Sequence, residues 1–188
     1  MPTIRTFIAI DIDDHAKQRL SEFISYLKKT GSDVKWIDES QMHLTLKFLG
    51  NIDDSKIQQI SRILKSVTEN FKSFSITLSG IGAFPNLKHP RVIWIGVEKG
   101  KDQLKDLNTI IEDYMEEEGF PKENRPYKAH LTIGRVKTSR NLSVLSRLIA
   151  ETNFQLDSEI KIDEIILFKS TLTPKGAIYT PLYYSKFS

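Results

Sequence analysis

His43-Leu44-Thr45-Leu46 and His130-Leu131-Thr132-Ile133 repeat one pattern, 87 positions apart in a chain of 188 residues. Each copy opens a segment of period-two, β-branched and aromatic character, and each is followed by an amphipathic stretch. A strand and then a helix are therefore expected in both halves. Near copies at almost half the chain length are what a duplicated α/β unit leaves behind, although the flanking helices do not align visibly. On a strand, residues i and i+2 share a face. His43 and Thr45 then look one way while Leu44, Leu46 and Phe48 look the other; His130 and Thr132 likewise oppose Leu131 and Ile133. Apolar partners facing a core leave each lobe presenting an imidazole and a hydroxyl, so two lobes about a pseudo-twofold axis would enclose a cleft with a histidine on either side.

Outward from the motifs, apolar residues at helical spacing predict four helices. The first covers about 14–30, with Ala16, Leu20, Phe23, Ile24 and Leu27 on one side and Gly31 as a stop. The second covers about 54–69, the third carries Leu104, Leu107, Ile111, Tyr114 and Met115 before Gly119, and the fourth covers 142–149. Strands are expected at 4–12, 43–49, 74–78, 91–97, 130–136, 162–168 and 178–184, with a turn at Pro174-Lys175-Gly176. The mixture fits an α+β class: a bilobal fold of two antiparallel sheets flanked by helices, forming one domain over 1–188 from two intertwined lobes.

Composition narrows the chemistry. With 39% hydrophobic residues the chain can bury a core. It has no cysteine, which excludes a disulfide framework, a thiolate nucleophile and a cysteine metal site. The apolar run at 7–10 is too short for a signal peptide or a membrane span, which predicts a cytoplasmic protein. A net charge of +3 says little about nucleic acid, but Lys122, Arg125, Lys128, Arg135, Lys137 and Arg140 cluster locally with Glu123 as the one acid among them.

Paired imidazoles suit in-line displacement at phosphorus, where the entering and leaving oxygens each need a proton-transfer partner. With ordinary values near ~6.5, one can be neutral and act as base while the other is protonated and acts as acid, giving a pH optimum near neutrality. Threonine hydroxyls can donate to non-bridging phosphate oxygens without adding a titrating group. A single His-x-Thr on a strand is more often a packing accident, and the argument rests on there being two. His15, on the polar side of the first helix, and His89, in a Lys-His-Pro-Arg loop, are given no role. Trp36, Trp94, Tyr127 and Phe48 read mainly as core residues, any of which at a cleft edge would stack on a base. Glu116 to Glu118 read as a solvated face, and no His/carboxylate spacing suggests a metal.

At these residues the chain resembles the RNA 2′,3′-cyclic phosphodiesterases, historically called 2′-5′ RNA ligases, of the two-histidine phosphoesterase superfamily. The likeness extends through Arg5-Thr-Phe-Ile-Ala-Ile, Val34-Lys-Trp, Gly80-Ile-Gly-Ala-Phe-Pro-Asn, Pro90-Arg-Val-Ile-Trp, Arg125-Pro-Tyr-Lys-Ala-His and Leu167-Phe-Lys-Ser-Thr-Leu-Thr-Pro-Lys-Gly. It implies hydrolysis of RNA or oligonucleotide 2′,3′-cyclic phosphate ends to 2′-phosphates, without metal or other cofactor. It also implies His43 as proton donor, His130 as proton acceptor, and Thr45, Thr132 and Arg135 as phosphate ligands. No obligatory protein partner is evident, and a monomer is expected. The sequence departs from the family at Ala129, where proline is frequent. Arg135 also has the wrong strand parity to share a face with His130, so a bulge or a strand end must intervene if it touches phosphate. Two other functions remain: 2′-5′ ligation at the same site, and a non-catalytic RNA-binding module using the basic residues.

Overall fold

A computed structural model describes residues 2–188. Its elements run β1 (Thr3–Asp11), α1 (Asp14–Lys28), β2 (Val34–Trp36), β3 (His43–Asp53), α2 (Ile57–Glu69), β4 (Phe74–Ile76), β5 (Leu78–Phe84), β6 (Val92–Val97), α3 (Lys101–Glu117), β7 (His130–Val136), α4 (Leu142–Glu151), β8 (Ile160–Ile162), β9 (Glu164–Thr173) and β10 (Gly176–Lys186). Two four-stranded antiparallel sheets carry the architecture, one ordered β10-β9-β1-β3 and the other β2-β7-β6-β5, with β4 and β8 forming a separate pair. The fold is α+β and bilobal, as the repeated motif suggests. The halves of the chain also interleave, since β2 completes the second sheet and the C-terminal hairpin β9–β10 completes the first. Helix α3, from the second half, packs on β3, and α2 packs on β9, β10 and α3.

Helix ends follow their chemistry. Asp13 caps α1, its carboxylate accepting from the Ala16 N–H at 2.8 Å, and Gly31 takes the left-handed conformation just beyond the helix. One apolar core runs through both lobes and takes in Ile8 and Ile10 from β1, Leu44 and Leu46 from β3, Ile93 and Ile95 from β6, and Leu131 and Ile133 from β7. Helix stripes such as Leu20, Ile24 and Leu27, and Leu104, Leu107 and Ile111, join it.

Strand boundaries differ from expectation where glycine breaks the pattern or a short edge lacks one. Neither β2 nor β5 is foreseen as a strand. Segment 74–78 divides between β4 and β5, and the start of 162–168 belongs to β8. β5 contains Gly80 and Gly82, and Gly82 is required: a Cβ there would lie 2.4 Å from the Trp94 ring.

Register decides more than boundaries do. Ile8 opposes Lys47 and Ala9 opposes Thr45, so Leu46 is an extra residue bulged out of the β1–β3 ladder. Ile93 opposes Gly134 and Trp94 opposes Thr132, so Ile133 is bulged in the same way from β6–β7. The bulge falls on the fourth residue of both motifs. The freed carbonyls find partners outside these ladders: Asn108 Nδ2 donates to Leu46 O at 2.8 Å, and the Ile37 N–H donates to Ile133 O at 3.0 Å.

Candidate active site

Each bulge reverses strand parity beyond it. Past Leu46, Lys47 turns into the core opposite Ile8, and Phe48 comes out opposite Phe7 on the face of Ala9 and Thr45. The expectation that Phe48 lies on the core side is thus wrong: it is 64% exposed. Past Ile133, Arg135 opposes Val92, on the same side of β6 as Trp94 and Gly96, which oppose Thr132 and His130. Of the bulge and the strand end that would serve, a bulge is present, and it puts Arg135 on one face with His130 and Thr132. The open face of one sheet therefore carries His43, Thr45 and Phe48, that of the other His130, Thr132 and Arg135, and β3 and β7 touch.

Side chains from the second half brace β3. The Tyr127 hydroxyl donates to Thr45 O at 3.3 Å, and burial pushes its phenol pKa upward. Lys47, driven inward by the bulge, forms a buried ion pair with Glu112 at 2.6 Å and also donates to Pro121 O at 2.9 Å. Glu112 in turn accepts from the Glu123 N–H at 3.3 Å. The segment leading to His130 is thereby tied to the strand of His43.

The two imidazoles differ. The Nδ1–H of His130 donates to Lys128 O at 2.6 Å; a carbonyl can only accept, so Nδ1 carries hydrogen and the neutral ring keeps its lone pair on Nε2. Burial holds this imidazole below the usual histidine range, helped by the charges of Lys128 and Arg135 and opposed by the hydrogen bond to Lys128 O. Phe84 meets it edge-on at 5.0 Å, and the Lys128 ammonium lies 4.2 Å from the Trp94 ring centre. A cavity of about 450 Å³ is lined by Trp94, Lys101, Lys105 and the residues just before His130, Tyr127 to Ala129, among others.

His43 sits in an aromatic box, its ring centre 4.5 Å from Phe168, 5.6 Å from Tyr179 and 6.5 Å from Phe7. Its Nδ1 is buried, and its Nε2 lies 3.7 Å from Asp11 Oδ1. Burial lowers this imidazole too, Asp11 pulling it back up, Lys17, 2.8 Å from the same carboxylate oxygen, pushing it down, and a hydrogen bond to the Gln41 backbone raising it. Among the described residues no group of three or more His, Asp or Glu side chains is arranged to hold a metal ion.

The model of the family described as LigT like Phosphoesterase matches the chain twice, over residues 10–94 and 95–179, each copy taking one motif. The chain belongs to this family. It is 40% identical to the RNA 2′,3′-cyclic phosphodiesterase of Thermotoga maritima over 184 residues, 98% of this chain and 96% of the relative. It is 34% identical to that of Methanothermobacter thermautotrophicus over 179 residues, 95% and 96% of the two chains. Among solved structures, LigT of E. coli in apo form superposes with a TM-score of 0.81 at 20% identity, covering 100% of this chain and 99% of that one, which shows the shared fold.

Other sequence expectations fare unevenly in this LigT-like phosphoesterase. The basic run is broken, because Lys122 pairs with Asp113 at 2.6 Å and Glu116 at 3.1 Å. The Glu116 to Glu118 cluster stays at the surface, as expected, with Glu116 on Lys122 and Glu118 accepting from Gln59. His15 is exposed and pairs with Asp157, and His89 is exposed in its loop. Asp11, Phe7, Phe168 and Tyr179 are site residues that sequence reasoning does not single out. Their only signal is period-two placement on β1, β9 and β10, which reads as core until the register is known. No helix among the described residues is long and apolar enough to cross a membrane.

Proposed function

We propose that the protein hydrolyses 2′,3′-cyclic phosphate ends of RNA or oligonucleotides to 2′-phosphate ends, without metal, as a cytoplasmic monomer built as one domain of two interleaved lobes. The observation that carries this reading is the Asp11 carboxylate beside His43, with no carboxylate among the groups acting on His130. His130, with Nδ1–H committed to Lys128 O, offers Nε2 as a base. His43, beside the Asp11 carboxylate, is the ring whose protonated form is favoured by a neighbouring charge. His130 Nε2 takes a proton from water as its oxygen bonds to phosphorus. The P–O3′ bond breaks on the far side, and O3′ receives the proton of His43. The product is a 2′-phosphomonoester with a free 3′-hydroxyl, and proton exchange with solvent resets both rings. Thr45 and Thr132 donate to non-bridging oxygens, and Arg135 opposes the charge that builds there. The names of the relatives supply the substrate class; the exposed Phe48 on one face and Arg135 on the other suit an RNA end.

A second reading draws on the cavity lined by Tyr127, Lys128 and Ala129. A 5′-hydroxyl strand lodged there, against Lys101 and Lys105, would replace water as the nucleophile and form a 2′-5′ linkage. One experiment tests both readings: chelator-treated protein, an oligoribonucleotide ending in 2′,3′-cyclic phosphate, and an added 5′-hydroxyl strand. Conversion to a 2′-phosphate end is expected; a joined product favours ligation, and retention without conversion refutes catalysis.

A further inference from the structure

Like charges placed directly opposite on neighbouring strands repel, so a fold that keeps such a pair gives up stability for it. β2 and β7 keep one, because Lys35 opposes Arg135. Val34 and Trp36, on either side of Lys35, pack over Gly134 on the core side, which leaves Lys35 on the open face with Arg135, Thr132 and His130. Both cations are exposed, and among the described residues neither is in an ion pair, although Lys17, Lys47, Lys99 and Lys122 all are. A lysine on an edge strand can simply guard the edge, but that role gains nothing from a second cation opposite.

The two cations are not equivalent. The charge of Arg135 acts on the His130 imidazole, whereas Lys35, one strand farther out, is absent from the charges that do. The Lys35 ammonium stands instead beside the tip of the β9–β10 hairpin: a Cβ on Gly176 would lie 3.2 Å from it, and Gln41, just before His43, donates to the neighbouring Ala177 O. Lys35 is thus at the rim of the cleft, where the two sheets approach. Along β6 the row of Arg135 and Val92 lies two residues from that of Thr132 and Trp94, about 6.6 Å at the usual rise of a strand. An anion at Lys35 is therefore a separate group from the cyclic phosphate at Thr132. An RNA end carries one such group that a mononucleotide lacks, the phosphodiester joining the last nucleotide to the one before. We infer that Lys35 binds this upstream phosphodiester, with Arg135 between it and the reacting phosphate, and so selects the ends of RNA chains over nucleoside 2′,3′-cyclic phosphates. The inference rests on the hydrolysis reading.

The test compares the dinucleotide ApA ending in 2′,3′-cyclic phosphate with adenosine 2′,3′-cyclic phosphate, which lacks the upstream linkage. In Lys35→Gln the preference for the dinucleotide, as a ratio of kcat/KM values, is expected to fall by about 3- to 10-fold, chiefly through KM, and Lys35→Arg is expected to keep it. A methylphosphonate at the linkage removes its charge and leaves the second nucleoside in place. It is expected to lower wild type to the level of Lys35→Gln and to change Lys35→Gln little. An unchanged ratio, or a methylphosphonate that costs both proteins equally, overturns the contact. Calorimetric binding of ApA 2′-phosphate against adenosine 2′-phosphate reads the same contact without turnover, and the salt dependence of the dinucleotide, log Kd against log salt, is expected to lose about 0.7 of its slope in Lys35→Gln. If wild type turns over neither ester yet Lys35→Gln weakens only the dinucleotide ligand, the hydrolysis reading fails and the phosphodiester site stands. Equal weakening of both ligands, or of neither, refutes the site.

Discussion

Asp11→Asn isolates what a single carboxylate does for the proposed acid. Asp11 faces His43 across the β1–β3 ladder, its Oδ1 3.7 Å from Nε2 and held by the Ile12 N–H at 2.9 Å and Lys17 at 2.8 Å. Asparagine keeps the shape and removes the charge. Opposite unit charges about 4 Å apart interact by about 1 kcal/mol in water and about 4 kcal/mol at the effective dielectric of a protein surface. The Asp11 side chain is 40% exposed and shared with Lys17, so the lower figure applies. One kcal/mol is a little under one pKa unit. The sign follows from which form the charge favours: without the anion the imidazolium is less stable, and His43 loses its proton at lower pH. A profile of kcat/KM against pH, with release of 2′-phosphate as readout, reports the free enzyme. In wild type, burial lowers both imidazoles. The optimum is therefore expected on the acid side of ~6.5, not near neutrality as unperturbed histidines would have it, with apparent values belonging to the pair. In Asp11→Asn the alkaline limb is expected to move down by somewhat less than one unit, costing about fivefold above it and little on the acid limb. Lys17→Met is expected to move that limb upward. An alkaline limb that stays put or rises in Asp11→Asn, or an equal loss at every pH, refutes the assignment of His43 as acid.

Three further outcomes are expected. His43→Ala and His130→Ala each lose ~10²- to 10⁴-fold in turnover, and a nitrophenyl ester, whose leaving group needs no proton, restores His43→Ala far more than His130→Ala; equal restoration means the roles are misassigned. Lys47→Met strands a buried carboxylate, since the Lys47 and Glu112 side chains are only 3% and 11% exposed, and lowers unfolding free energy by about 3–5 kcal/mol in urea titration, most of which Lys47→Met/Glu112→Leu recovers. A loss under 1 kcal/mol for the single variant contradicts that account. Activity is expected to survive EDTA; loss in EDTA with recovery on adding one particular divalent ion would overturn the metal-free mechanism.

The sequence alone determines the histidines, the threonines, the four helices and the two-lobed plan, because these rest on local period and on a motif that occurs twice. Core-facing Leu44 and Leu131 alternate with His43, Thr45, His130 and Thr132 within a few residues, and such alternation is visible without a partner strand. What lies past the motifs is not local. Whether Phe48 and Arg135 meet substrate or core depends on one extra residue in each ladder, and a bulge is a relation between two strands that one strand's pattern does not encode. Arg135, read by parity alone, points away from His130; tertiary pairing turns it round. The same shift drives Lys47 inward, where only Glu112, 65 residues on, makes its burial tolerable. Asp11, Phe168 and Tyr179 reach His43 from β1, β9 and β10, elements whose order in the sheet bears no relation to their order in the chain. The tertiary structure, not the motif, thereby gives two like histidines unlike surroundings: the Asp11 carboxylate beside His43, and the charges of Lys128 and Arg135 beside His130.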